Sequence, residues 1–221
     1  MRTNIYNNGQ DILNWYKTPA LVQYTNAGYP ILGKRDIDNV DNIRLLSFNK
    51  ALSNNTNDYD YYVHFYIQDY MFTRIWNKPE RYVEFLKKYK GIIMPDFSLF
   101  VDMPLPLQQF NYYRNPWFAR MCQWNNIDVI PSICFGDDKS YDFCFQGMSE
   151  NNDVFMLNTA GSLREKQVAK IFYQGVQEAI RRLKPKLLLV RATENCYNDI
   201  CRYVFAPMGV KTKLIDYRFE Q

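Results

Sequence analysis

Apolar residues along this chain form short continuous runs separated by segments with a helical period, and that alternation predicts strand and helix in turn. Strands are predicted over Ile43–Phe48, Tyr61–Ile67, Ile92–Pro95, Val129–Cys134, Val154–Asn158, Leu187–Val190 and Lys213–Arg218. Helices are predicted over Pro79–Lys90, Leu105–Asn125, Glu165–Leu183 and Cys196–Phe205, with one or two turns in Ser140–Gly147. In Glu165–Leu183 the residues Val168, Ile171, Phe172, Gly175, Val176, Ala179, Ile180 and Leu183 form one apolar stripe, as on a helix lying over a sheet. Pro79 suits a first helical turn and Gly91 a helix end. Asn115-Pro116 should split the segment from Leu105 into two helices, because a residue before proline avoids helical geometry.

This order predicts an α/β fold with a mainly parallel sheet, either an irregular or incomplete (β/α) barrel or an open doubly wound sheet, with the barrel favoured. Residues 1–40 show no sustained period and read as an irregular arm with a short helix near Asp11–Tyr16, while 41–221 read as a single α/β domain. A length of 221 residues suits one domain but is small for a complete eight-stranded barrel. No GxGxxG, GxxxxGK[ST] or internal repeat occurs, which removes the main support for Gly-rich phosphate loops.

Composition narrows the chemistry. Apolar residues make up 47% and aromatics 17%, enough for a packed core, and no run reaches the length of a membrane span. The start of the chain lacks a signal-peptide core, so a cytoplasmic location, without membrane contact, is expected. The five cysteines include no CxxC pair and read as reduced, buried small hydrophobes. With His64 as the single histidine, a Cys/His zinc centre or a Ser-His-Asp triad has almost no material, and catalysis would rest on carboxylates. A net charge of +4 is mild, and both basic clusters, Lys87–Lys90 and Arg181–Lys186, fall where helices end and complement their dipoles.

The densest chemistry lies between Met94 and Asn115, directly after an apolar strand, where parallel α/β folds place their ligands. Alternation puts Tyr61, Val63, Phe65, Ile67 and Asp69 on one face, and Ile92, Met94, Asp96 and Ser98 on one face of the next strand. If both faces point into a barrel, Asp69 and Asp96 meet at its mouth; the competing reading makes each a cap of the following loop or helix. Leu107, Phe110, Asn111 and Arg114 share a helix face, so the Arg114 guanidinium needs a partner, for which Asp96 or Asp102 is expected. Gln108, Gln109 and Gln123 add amides. Asp69, Asp96, Asp102 and Asp137-Asp138 together are ligands of the kind Mg²⁺ takes, or a general acid and base.

The runs His64–Tyr70, Pro95-Asp96-Phe97-Ser98, Asp102-Met103-Pro104, Gln109, Asn111–Arg114, Val129-Ile130-Pro131 and Phe143–Gly147 occur in an order that resembles the domain of unknown function 4417. That family is found in bacteriophages, plasmids and some bacteria, and the resemblance spans roughly Ile43 to Lys184. It implies a phage or mobile-element origin and expression inside a bacterial host, with no established activity. Phe100, Asn126, Phe135 and Arg191-Ala192 depart from its pattern, where tyrosine, glycine, tryptophan and Tyr-Gly are expected; Asp96, Ser98, Asp102 and Arg114 match.

The leading expectation is an enzyme acting on a nucleotide, nucleobase or nucleic acid, with Asp96, Asp102 and Asp69 as catalytic carboxylates and Ser98, Gln109, Asn111 and Arg114 as ligand contacts. The alternative is a binder that sequesters a host nucleotide signal or occupies a host defence protein, and a third is a single-strand accessory using its aromatics, against which the mild charge counts.

Overall fold

The computed structural model describes residues 13–15, 17–18, 22–34, 40, 42–148, 152–163 and 165–220. Among the described residues eight strands are present: β1 (Leu45–Ser47), β2 (Tyr62–His64), β3 (Gly91–Ile93), β4 (Asp128–Ile130), β5 (Ser132–Ile133), β6 (Val154–Asn158), β7 (Leu187–Ala192) and β8 (Thr212–Asp216). They form two four-stranded sheets in the orders β1-β2-β3-β4 and β5-β6-β7-β8, parallel throughout. Helices α1 (Phe48–Leu52), α2 (Asp69–Phe72), α3 (Arg74–Asn77), α4 (Pro79–Leu86), α5 (Leu105–Trp124), α6 (Tyr141–Cys144), α7 (Lys166–Leu183), α8 (Glu194–Ile200) and α9 (Ala206–Met208) lie between or after them.

The two sheets share one interrupted strand. Met94 donates its N–H to Ile130 at 2.9 Å, and the next carbonyl, that of Pro131, accepts from Met156 at 2.8 Å on the other side. Proline has no N–H to give a ladder, so the strand predicted over Val129–Cys134 breaks there into β4 and β5. The strands thus follow one another in chain order, as in a (β/α) barrel and unlike a doubly wound sheet, whose order reverses. Leu45, Tyr62, Ile93, Ile130, Met156, Leu187 and Leu189, from β1 through β7, form one buried cluster with Ile215 of β8 packed against it. Around that shared interior the edges β1 and β8 approach without pairing among the described residues. A groove of about 320 Å³, lined by Ile43, Arg44 and Leu45 on one side and Lys213, Leu214 and Ile215 on the other, separates them. The result is an incomplete barrel.

The opposite face of each strand, including Val63, Ile92, Val129, Phe155, Leu188 and Val190, packs with the helices in a larger cluster. This corrects the expected orientation: Tyr61, Val63, Phe65, Ile92 and Met94 face the helices, and Tyr62 and Ile93 face the interior. A strand buried on both sides is apolar on both, so alternation separates its faces without saying which is inner.

α7 buries Phe172, Gly175, Val176, Ala179, Ile180 and Leu183 of the predicted stripe, while Val168 at its start is exposed. Pro79 opens α4 as expected, but the helix ends at Leu86, and Gly91 begins β3 instead of closing the helix. A Cβ on Gly91 would fall 2.5 Å from the Tyr62 ring, so the close approach of β2 is what requires glycine there. α5 runs unbroken through Pro116, against the expected division. Trp117, Phe118, Ala119 and Cys122 beyond the proline are buried, and burying a large apolar side chain is worth about 1.5–3 kcal/mol, so a few of them outweigh the roughly 3 kcal/mol that an interior proline costs. The β6 bounds are as predicted, and α8 begins two residues earlier than expected and gives way to a π-helical turn, Cys201–Phe205. Asn126, where glycine was expected, has φ +62°, a region asparagine tolerates better than most residues.

The described part of the N-terminal segment is tied to this layer. The Trp117 indole donates to Thr18 Oγ1 at 2.8 Å, Asn14 Nδ2 donates to the Trp76 carbonyl at 2.8 Å, and Gln123 Oε1 accepts from Gly33 N at 2.7 Å. Residues 11, 12 and 16 of the expected short helix lie outside the described residues.

Gly175 supplies a test of the α7 contact, since a Cβ there would lie 2.1 Å from the Phe135 ring. Gly175→Ala should lower stability by about 1–3 kcal/mol in denaturant melts, although alanine is the better helix former by about 1 kcal/mol. An unchanged or raised midpoint would show that Phe135 can swing away.

Candidate functional site

The carboxyl ends of β2, β3 and β5 bring together side chains from three loops. After β2 the chain turns through Tyr66 into α2, whose first residue is Asp69. The Asp69 carboxylate accepts from the Ser98 amide at 3.1 Å and the Ser98 hydroxyl at 2.9 Å, so it fastens the loop after β3 to the start of α2. The carboxylate does not cap the helix that follows it; it ties two loops together, and its charge acts on Asp96.

Asp96 is half-buried. Burial, and next to it the charge of Asp69, push its carboxyl from the ordinary 3.8 up to about 7, against a hydrogen bond with the Cys134 side chain. Cys134 also accepts from Asn115 Nδ2 at 3.6 Å, and Asn115 Oδ1 accepts the Phe97 amide at 2.8 Å. Asn115, expected to end a helix, is instead the buried link between α5, the β3 loop and the end of β5. Beside this set the Tyr66 hydroxyl hydrogen-bonds Ser132 Oγ at 2.7 Å, and its own ionisation is opposed by burial and by the charge of Asp96.

Arg114 reaches the same region from α5 but forms no ion pair with Asp96 or Asp102, in contrast to the expectation. Its guanidinium lies 3.6 Å from the Phe97 ring centre and 5.1 Å from that of Phe110, and Nη2 donates to Asn111 Oδ1. Asn111 Nδ2 in turn donates to the Ser98 carbonyl at 2.7 Å. Burial lowers the guanidinium to about 10, the charge of Asp69 opposing that shift, and Nε is buried without a hydrogen-bond partner. Aromatic faces satisfy a guanidinium well enough to replace a carboxylate, which helix-face reasoning could not foresee.

The remaining predicted residues stand apart. Asp102 is exposed on the turn before α5, Gln109 is exposed on α5, and Asp138 is exposed ahead of α6. Among the described residues no group of three or more His, Cys, Asp or Glu is placed to hold a metal ion, so the acidic set imagined for Mg²⁺ is not assembled. Gln108 and Gln123 serve as ties, to the Met103 carbonyl at 2.8 Å and to Gly33.

Sequence reasoning missed the other half of the mouth: Tyr66, Ser132, Arg191 and Glu220. The His64 ring is buried beside Tyr66, at 5.4 Å between ring centres, and Nδ1 accepts the Tyr66 amide at 3.2 Å. Arg191 on β7 is buried and pairs with Glu220, a contact hidden in the sequence because the two residues lie on separate elements.

The chain matches the family described as "Domain of unknown function (DUF4417)" over residues 24–217. It is similar to the "Gene 1 protein" of Mycobacterium phage L5, 35% identical over 127 residues, which cover 58% of this chain and 55% of that protein. The "Gene 1 protein" of Mycobacterium phage D29 is also 35% identical over 127 residues, covering 58% of this chain and 47% of that protein. The match therefore spans about half the length of these curated relatives. No solved structure matches. Among the described residues no helix is long and apolar enough to cross a membrane.

The raised Asp96 carboxyl sets a pH dependence. With a carboxyl near 3.8 when unfolded and about 7 when folded, the folded state holds the proton more tightly between these values, so raising the pH costs stability. Nothing is lost below about pH 4, and above about pH 7 the full penalty, roughly 4 kcal/mol, is present. Asp96→Asn removes it. The unfolding free energy of that variant minus the parent's should rise by about 2–4 kcal/mol between pH 4 and pH 8; a flat difference would place the carboxyl in ordinary solvent.

Proposed function

We propose that this chain, which belongs to the DUF4417 family, is an enzyme that breaks a glycosidic or phosphodiester bond in a nucleotide-type substrate in the bacterial host cytoplasm, with Asp96 as its acid–base group. The observation that supports this most is Asp96 itself. A carboxyl held near neutrality by burial and a neighbouring carboxylate, without a paired cation, weakens the fold at physiological pH and is what acid–base catalysis uses. Asp96 gives its proton to the departing oxygen or nitrogen, and Asp69 takes one from an attacking water or attacks directly. Arg114, oriented by Asn111 and stacked on Phe97, would hold an anionic group, and Ser98 would place Asp69. Asp102 and Gln109, exposed on the turn before α5 and on α5, are left for contact with more distant parts of a substrate.

A second reading, a binder of a host protein or host nucleotide signal, has its own support. Tyr70, Phe100, Val101, Leu105 and Leu107 are all more than 40% exposed on the segments that flank Asp69 and Ser98, where a contact surface would lie.

The two readings part on one variant. Asp96→Asn should stay folded and lose turnover about 100-fold or more when nucleosides, nucleotides and oligonucleotides are assayed with and without Mg²⁺. A parent inactive on every substrate would favour the binder, and an Asp96→Asn variant as active as the parent would remove Asp96 from the chemistry.

A further inference from the structure

The mouth of the strand set carries a second polar cluster, built on Arg191. This residue, 8% exposed at the end of β7, donates Nε and Nη2 to the two oxygens of Glu220, each at 2.6 Å, and Nη1 to Asn158 Oδ1 at 2.9 Å. Its guanidinium carbon lies 5.5 Å from the Tyr66 ring centre and 5.0 Å from that of Tyr217. His64 completes the cluster. Its Nδ1 accepts the Tyr66 amide, which leaves the proton of the neutral ring on Nε2; that atom is buried, makes no well-formed hydrogen bond and faces Glu220 Oε2 at 3.4 Å.

His64, Asn158 and Arg191 sit at the carboxyl ends of β2, β6 and β7, where barrel folds bind ligands, whereas Glu220 does not come from the strand set. It follows the single 3-10 turn Tyr217–Phe219 after β8, a segment held locally by the Arg218 amide on Asp216 at 3.0 Å and the Glu220 amide on the Tyr217 carbonyl at 3.3 Å. Glu220 also lies beyond the residues that match the family, 24–217. The site is therefore made by the barrel and filled by a short attached segment.

A guanidinium fork takes a carboxylate or a phosphoryl group equally well in plan. A carboxylate has two oxygens, and Arg191 uses both. His64 Nε2 faces only Oε2, at 3.4 Å and already taken by Arg191 Nη2, and a phosphoryl group, with one oxygen more, would supply it a closer partner. We propose that Arg191, His64 and Asn158 form a binding site for a phosphoryl group, and that Glu220 is an internal carboxylate that occupies this site until phosphate displaces it. The site is separate from the Asp69–Asp96 pair, although Tyr66 packs beside Arg191 and also feels the charge of Asp96, and its occupation does not depend on whether the chain is catalytic.

An internal competitor lowers apparent affinity by the fraction of molecules in which it has withdrawn. If that fraction is at or below about one in ten, Glu220→Gln, which keeps shape and removes charge, should bind inorganic phosphate about tenfold or more tightly than the parent by calorimetry at constant ionic strength. Adding Arg191→Met should abolish the gain. Equal affinity in parent and Glu220→Gln, or a gain that survives Arg191→Met, would overturn the proposal. Should the Glu220→Gln variant fail to fold, hydrogen exchange in the parent decides: phosphate should speed exchange of the amides at 217–220 relative to chloride at matched ionic strength, and unchanged rates would overturn it. Asp96→Asn should leave phosphate binding as in the parent, so failure of the acid–base reading and failure of this one give different results.

Discussion

The fold and its mouth depend on one strand that changes partners at Pro131. Up to Ile130 it pairs with β3, and from Pro131 onward it pairs with β6, so the two sheets are halves of one curved series. Proline tolerates this position because the ladder on the β6 side needs its carbonyl and not an N–H. Side chains after the switch reach the rim: Ser132 hydrogen-bonds Tyr66, and Cys134 joins Asp96 to Asn115. Had the strand stayed with β3 alone, the end of β2 and the mouth of β6 and β7 would not share one rim.

Three charged groups at that rim meet three different surroundings. Arg114 rests on aromatic faces and one amide, Arg191 takes a full carboxylate fork, and Asp96 has burial against it and another carboxylate beside it. Burial opposes the charge of both Arg114 and Asp96, and of the three only Asp96 has a like charge beside it. A group whose folded environment opposes its charge, placed at the ends of parallel strands, marks where the fold gives up stability for something else. The ties around it are fully used by comparison, from Ser98 on Asp69 to Asn115 on Phe97.

Much of this was legible in the residues. Strand positions, their parallel order and α7 followed from the apolar pattern, because burial repeats with the period of the element that is buried. The segment from Asp96 to Arg114 stood out because polar groups crowd directly after an apolar strand. Asp69 and Asp96 do come together, yet for a reason only partly foreseen: their strands pair directly, while the faces expected to point inward point at the helices.

What the sequence determined by itself is therefore local and periodic: which segments are strands or helices, that the strands are parallel, and where polar groups gather. What the tertiary structure decided is every matter of partner and side. It carried α5 through Pro116 because burial beyond the proline exceeds the cost of a lost hydrogen bond. It chose aromatic rings over a carboxylate for Arg114, and gave Arg191 to Glu220 across the mouth. Such contacts join residues far apart in the chain, and no periodicity records them, because they arise only when separate elements have been brought to the same rim.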